Sequence, residues 1–430
     1  MSVSGAVSII LLLFGLLAIR APIGFAMAIA GGVGLYWVGG ADVMVGIFST
    51  TPYESAAVYE FVAIPMFLLM AEFVLRSGIA DDLFRVAAAW FGRLPGGLGA
   101  ATAIAGAGFG AISGSSTAAA ATLSSTSIPA MRKHGYERRM AAGVVAISGT
   151  LAMLIPPSIA MIIYGLIADL SIGKLIVAAI VPSIIVTLTI VGTTCFMAWR
   201  DPSIAPLSEA VPWAEKIALL RLVGPMLLLF LTISMVIYTG VATPTEASAF
   251  GALVAGILYY LRAKPTFSEF YSVVARATRT TCMIGIILLG AHIFSTFFVL
   301  TQTTQALVTW VSALPVPPWS ILLVLIGIYI LLGCFMDQMA VLVLTVPIVA
   351  PLVVALGFDP IWFAVLVIVT VELGMVTPPL GLNCFVVAKY SDATIADVFI
   401  GVLPHVLMHL VALAILFIFP VLTLWLPNQM

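Results

Sequence analysis

Long apolar runs, separated by short polar or proline-marked intervals, dominate the chain. Runs near residues 5–19, 22–38, 61–75, 140–167, 174–198, 219–238, 245–261, 280–299, 361–388 and 395–424 each approach the length of a bilayer-spanning helix. They predict ten spans. Two further stretches, 98–131 and 317–351, are each about 34 residues long and are interrupted near the middle, by SGSST and by CFMDQ. Each ends at proline, Pro129 in the first and Pro347 and Pro351 in the second. They read as re-entrant helical hairpins, whose non-helical tips protein must shield from lipid. The expected fold is an all-α polytopic membrane protein: about ten transmembrane helices plus two hairpins.

The punctuation of the first half returns in the second. A shift of 222 residues carries Pro22 onto Pro244, Leu151 onto Leu373, Met153 onto Met375, Pro156-Pro157 onto Pro378-Pro379 and Pro182 onto Pro404. A shift of 220 carries Trp90 onto Trp310 and Pro95 onto Pro315. Residues 1–210 (hairpin 98–131, broken helix 140–167) and 211–430 (hairpin 317–351, broken helix 361–388) are therefore expected to be repeats. Basic residues orient them, because short cytoplasmic loops are enriched in Lys and Arg. RKHGYERR, with Arg132, Lys133, Arg138 and Arg139, has as its counterpart LGFDP, without Lys or Arg. Arg20 faces the unbased turn GVAT, and Arg262, Lys264, Arg276 and Arg279 correspond to the stretch around Glu54 and Glu60. Each comparison inverts, and five spans per half is odd, so the halves should form an inverted-topology repeat with both chain ends outside. Segments 79–93 and 301–314 read as amphipathic surface arms.

Composition narrows the function. Of 430 residues, 63% are hydrophobic and 8% charged, against roughly a quarter charged in soluble domains, so a soluble domain is excluded. The net charge of −1 carries no basic or acidic block, which argues against nucleic acid as a partner. Cys195, Cys282, Cys334 and Cys384 lie in apolar runs without CxxC spacing, so neither a zinc site nor a disulfide framework is expected. The N-terminal run lacks a basic n-region and a small-residue cleavage site, and is expected to be a retained helix.

The strongest local signal is GTLAMLIPPS (Gly149 to Ser158) with its counterpart VELGMVTPPLG (Val371 to Gly381). A double proline inside a span removes N–H donors, breaks the helix and frees carbonyls, which in hydrocarbon need partners. Carbonyl oxygens facing a cavity suit a hard cation such as Na⁺. The hairpin tips GAISGSST (Gly110 to Thr117) and GCFMDQ (Gly333 to Gln338) supply hydroxyls, a tight-turn glycine and a rare intramembrane acid. A first cation site is expected from Ser113, Gly114 and Ser115 with the carbonyls of Ala152, Ile155 and Pro157. A second is expected from Gly333 and Asp337 with Gly374, Thr377 and Leu380. Protons are the alternative coupling ion, with Asp337 or Glu372 as carrier. No Lys or Arg lies in these segments, so an anionic substrate would meet the N–H groups of the second hairpin arms, near Thr117 and Ala340. Ser116, Thr117, Pro156, Pro378 and Asn383 are the expected substrate contacts, Asn383 alternatively capping a frayed turn.

Other features read as structural. His405 and His409 share a helix face without a third ligand, so a polar interhelical contact is expected rather than a transition-metal site. Glu72 and His292 are expected to bond across helices. Gly106, Gly108 and Gly110 lack phosphate-loop spacing, so no nucleotide site and no cofactor is expected.

The segments PMFLLMAEFVLRSGIADDLFR, RLPGG, FGAISGSSTAAAATLSSTSIPAMRKHGY, SGTLAMLIPPSIAMIIYGLIADLSIGKL and VELGMVTPPLGLNCFV resemble, in order, the large permease subunit of tripartite ATP-independent periplasmic (TRAP) transporters. The resemblance runs from about residue 20 to residue 405. It implies a bacterial inner-membrane symporter that imports a small organic anion with Na⁺, an elevator-type movement, a small four-helix membrane subunit and a periplasmic substrate-binding protein. Ala152 departs from the glycine common in that family; a carbonyl ligand tolerates the extra methyl. The rivals are a stand-alone divalent-anion symporter and a passive channel; a membrane enzyme would need a nucleophile–base or metal constellation that the sequence lacks.

Overall fold

A computed structural model describes residues 3–208 and 211–430, and among these every regular element is helical. The boundary expected between the halves, at residue 210, lies outside the described residues. The first run folds as α1 (Val3–Ala18). The second does not stop near residue 38: α2 (Ile23–Ala56) continues through Gly40, whose φ of 73° bends it. Residues 41–50 are half-buried or exposed, so no alternation of buried and polar positions marks this extension in the sequence.

After a 3₁₀ turn, α3 (Ala63–Arg76) and α4 (Ile79–Phe91) lead to two arms, α5 (Gly97–Ser113) and α6 (Ser116–Lys133). Next come α7 (Arg138–Thr150), a 3₁₀ turn, α8 (Ile159–Ala168), α9 (Ile172–Ala178) and α10 (Ile180–Arg200). Beyond the linker the order is α11 (Trp213–Tyr238), α12 (Pro244–Ala263), α13 (Phe267–Leu300) and α14 (Thr303–Ser312). Two more arms, α15 (Pro318–Phe335) and α16 (Gln338–Ala355), are followed by α17 (Pro360–Gly374), α18 (Leu382–Lys389), α19 (Ile395–Ile418) and α20 (Val421–Leu424). The run at 280–299 proves to be the end of a longer helix: α13 starts at Phe267, behind a capping box of Thr266 and Glu269.

Among the described residues seven helices are long and apolar enough to cross a bilayer, or eight if the bent pair Tyr59–Arg76 and Asp81–Phe91 is one broken span. The chain is a multi-pass membrane protein. Both α15 and α16 pass that test, whereas α8 and α17, lying beside the double prolines, are individually too short.

Small residues and polar pairs hold the helices together, as is usual where lipid competes equally for apolar side chains. At the α7–α19 crossing a β-carbon on Gly401 would lie 1.9 Å from the Arg139 carbonyl oxygen. One on Gly143 would lie 2.1 Å from the Gly401 carbonyl carbon. Backbone thus packs directly on backbone. The crossing is pinned at one end by Asp397, which meets Arg138 at 3.0 Å and Arg139 at 3.1 Å. Glu72 pairs with Arg276 of α13 at 2.9 Å, and His292 lies 2.7 Å from Ser55 Oγ, so both bond across helices. His409 does so as well, its Nε2 lying 3.3 Å from the Val369 carbonyl. The linker is strapped down: the Glu137 N–H donates to the Ile204 carbonyl at 2.8 Å, and the Ser208 N–H to the Gly92 carbonyl at 3.3 Å.

The glycine crossing makes a contrast measurable by thermal unfolding in detergent. Gly401→Ala should lower stability by about 3 kcal/mol through overpacking. Gly192→Ala, where a β-carbon meets nothing within 4 Å, should raise it by about 0.5–1 kcal/mol.

Candidate functional site

The two double prolines interrupt two helical paths. Between α7 and α8 the chain passes through a 3₁₀ turn, Leu151–Met153, and then Pro156-Pro157; between α17 and α18 it passes through Pro378-Pro379. Both Pro-Pro bonds are cis. Each break leaves carbonyls that the helix would otherwise occupy, and the hairpin arms pack on them.

At the first break the carbonyls divide into two sets. Leu151 accepts from the N–H groups of Leu154 at 3.2 Å and Ile155 at 3.1 Å, and Met153 accepts from the Ser158 hydroxyl. Ser158 also receives the Met161 N–H at 3.3 Å, so one buried serine both closes the break and caps α8. The carbonyls expected to bind a cation, those of Ala152, Ile155 and Pro157, are different ones. The first hairpin lies against this stretch: a β-carbon on Gly110 would come 2.7 Å from the Ala152 α-carbon. At the tip, Gly114 has φ of 56°, and a β-carbon there would lie 2.7 Å from Ile159 Cδ1. Only glycine meets both demands. Ser113 is buried with its Oγ 3.5 Å from the Ser115 carbonyl, while Ser115 Oγ takes the Ala118 N–H at 3.4 Å and lies 3.3 Å from Thr117 Oγ1. Tip and break of the first expected cation site are therefore brought together.

At the second break Gly333 and Gly374 are in backbone contact, a β-carbon on Gly374 falling 2.7 Å from the Gly333 α-carbon. Gly374's carbonyl, expected to bind a cation, already accepts from the Thr377 N–H at 3.0 Å and has one lone pair left. The Thr377 hydroxyl donates to Leu373 O at 2.6 Å. Asp337 caps α16, its Oδ2 taking the Met339 N–H at 3.0 Å. Asn383 folds the break back on itself through its N–H, which donates to Met375 O at 3.1 Å.

The second break also ties the two hairpins to each other. Gly381 N–H donates to the Cys334 carbonyl at the second tip, 3.3 Å away. Two residues on, Asn383 Nδ2 donates to Ser116 Oγ at the first tip, 2.5 Å away, with Ala146 O at 3.4 Å. Asn383, expected either to contact substrate or to cap a turn, is wholly buried and spans the two halves of the chain; the tip residue Ser116 is its partner. Ser116 lies 267 residues from Asn383, so no spacing rule links them.

The two breaks differ in access. Pro156 and Pro157 are buried, whereas Pro378, Pro379 and Leu380 are exposed. Of the expected substrate contacts, Pro378 is open and Thr117 half-open, while Pro156, Ser116 and Asn383 are enclosed. Sequence reasoning passed over Gln338, Ser158 and Gly381. Gln338 is the lone amide of an apolar run, which is the signal it offered.

Asn383→Ala should cost about 1–3 kcal/mol of stability, because it strands the buried Ser116 hydroxyl. Denaturant titration of the purified protein, beside Ser125→Ala on the exposed face of α6 as the neutral control, measures it.

The comparisons with known proteins bear on the whole chain. Residues 10–422 match the family model described as the tripartite ATP-independent periplasmic transporter, DctM component. The C4-dicarboxylate TRAP transporter large permease protein DctM of Pseudomonas aeruginosa is 34% identical over 377 residues, 87% of this chain and 88% of that one. The ectoine TRAP transporter large permease protein TeaC of Halomonas elongata is 29% identical, covering 96% of this chain and 97% of that one. In fold the chain is similar to the crystal structure of the Alcanivorax borkumensis YdaH transporter, with a TM-score of 0.65 at 16% identity over 88% of this chain and 89% of that one. A multi-pass helical chain that matches the DctM model from residue 10 to residue 422 belongs to the DctM component family of the tripartite ATP-independent periplasmic transporters, a family of transport proteins rather than enzymes.

Proposed function

We propose that this chain is the large permease subunit of a secondary active transporter that imports a small organic anion with Na⁺ across a bacterial inner membrane. A periplasmic binding protein delivers the substrate, and a small four-helix membrane subunit completes the membrane part. The observation that carries the reading is the bridging of both hairpin tips by one broken helix, Cys334 through Gly381 and Ser116 through Asn383. Carbonyls freed at the breaks, tip hydroxyls and helix N-termini support this reading, because such groups suit a hard cation and an anion in a transporter.

The halves, 1–210 and 211–430, are read as inverted-topology repeats. Support comes from helix order: α5, α6, α7 and α8 recur as α15, α16, α17 and α18 with the double proline at the same place. Arg132, Lys133, Arg138 and Arg139 lie between α6 and α7, whereas the equivalent loop between α16 and α17 has no base. In this reading the hairpins and broken helices form an elevator-type transport domain moving against a scaffold that includes α2, α3, α12 and α13. The first Na⁺ would be held by Ser113, Gly114, Ser115, Ala152, Ile155 and Pro157, the second by Gly333, Asp337, Gly374, Thr377 and Leu380. Relatives are named for C4-dicarboxylates, isethionate and ectoine, which supports organic acids and their like as the substrate class.

The test is uptake into proteoliposomes holding this chain and its small subunit, with and without binding protein and an inward Na⁺ gradient. Uptake should require both, and Asp337→Ala should reduce it by at least about tenfold by removing a carboxylate that favours the cation. Na⁺-driven uptake without the binding protein would replace the tripartite reading by a stand-alone symporter, and gradient-independent flux would replace it by a channel.

A further inference from the structure

Gln338 occupies the first turn of α16, directly after the capping Asp337 at the second hairpin tip. Its side chain is 0% exposed, and neither Nε2 nor Oε1 has a hydrogen-bond partner. A buried primary amide without partners costs free energy, and proteins normally satisfy such groups. Its counterpart at the first tip, Ser116, occupies the same place in α6 and is satisfied by Asn383, whose own Oδ1 is left without a partner. The first tip is thus closed by protein, and the second holds a buried amide that no protein group answers.

We propose that Gln338 is a specificity-determining substrate contact, and that its amide selects an anion bearing a hydroxyl, a hydroxy-monocarboxylate or hydroxysulfonate, over a dicarboxylate. This deepens the transport reading above and rests on it. A primary amide has N–H donors and a carbonyl acceptor, and a hydroxyl satisfies both by accepting from Nε2 and donating to Oε1. A second carboxylate accepts from Nε2 but leaves Oε1 facing a negative charge, with the Asp337 carboxyl one residue away. A methyl group satisfies neither. A site built to hydrogen-bond a hydroxyl rejects analogues without one strongly, because its polar atoms are then stranded.

The experiment is thermal unfolding of the purified chain with its small subunit, in NaCl, titrated with lactate, glycerate, 3-hydroxybutyrate, propionate and succinate. Wild type should be stabilised by at least one hydroxy acid and by neither propionate nor succinate at equal concentration. Gln338→Leu should raise the ligand-free melting temperature while weakening the hydroxy-acid response at least about tenfold. Gln338→Glu, which keeps shape and reverses the acceptor balance, should lose the response as well. A Gln338→Leu protein that melts lower without ligand, or responds as wild type does, overturns the assignment and makes the amide structural. Succinate matching the hydroxy acids, or no hydroxy acid binding, overturns the substrate class. Sodium-driven uptake by the Gln338→Leu complex equal to wild type would sink this inference alone, whereas its absence from wild type as well would sink the transport reading.

Discussion

A backbone that leaves the helix inside hydrocarbon must find its hydrogen-bond partners within the protein, and this constraint organises the molecule. The double prolines create the problem twice, at Pro156-Pro157 and Pro378-Pro379. The solutions are local where a side chain is at hand, as with Ser158 on Met153, and long-range where none is, as with Gly381 on Cys334. The turns between α5 and α6 and between α15 and α16 are what bring the long-range partners to the breaks. Each hairpin packs by small residues: Gly110 against Ala152 in one, Gly333 against Gly374 in the other. Larger side chains there would hold the tip away from the break and leave its carbonyls without company.

On the proposed function, the same arrangement would allow the site to bind and release ions. A carbonyl occupied by an N–H, such as Leu151's, is structural; one left over can coordinate a cation and lose it again without unfolding its surroundings. Break and tip are joined by few hydrogen bonds and much close packing, so the tip is placed firmly while the oxygens stay available. The buried first break and exposed second break show that the related segments are not in equivalent environments. In the elevator-type cycle proposed above, such a difference would separate the side that is open from the side that is shut.

Away from the breaks, packing follows ordinary membrane-protein physics. Backbone contact at Gly143 and Gly401 and the Asp397 pair with Arg138 and Arg139 join α7 to α19. These contacts tie the first broken helix to the last long helix, so that the two carry each other. The Glu72–Arg276 and Ser55–His292 contacts join α2 and α3 to α13 instead.

Much was legible in one dimension. Apolar run length marks most helices, and the interruptions at SGSST, CFMDQ and both double prolines mark the tips and breaks, because proline and glycine act on the backbone wherever they stand. The extension of α2 to Ala56 was not legible, since exposed helix carries no burial pattern; the start of α13 at Phe267 lies outside the apolar run, and its signal was the capping box of Thr266 and Glu269. The bond between Asn383 and Ser116, the occupied carbonyl of Gly374 and the stranded amide of Gln338 were decided only by tertiary structure. Sequence determines which backbone groups are freed and which side chains are able to answer them. Which one does so depends on distances between segments hundreds of residues apart, and those exist only once the helices have packed.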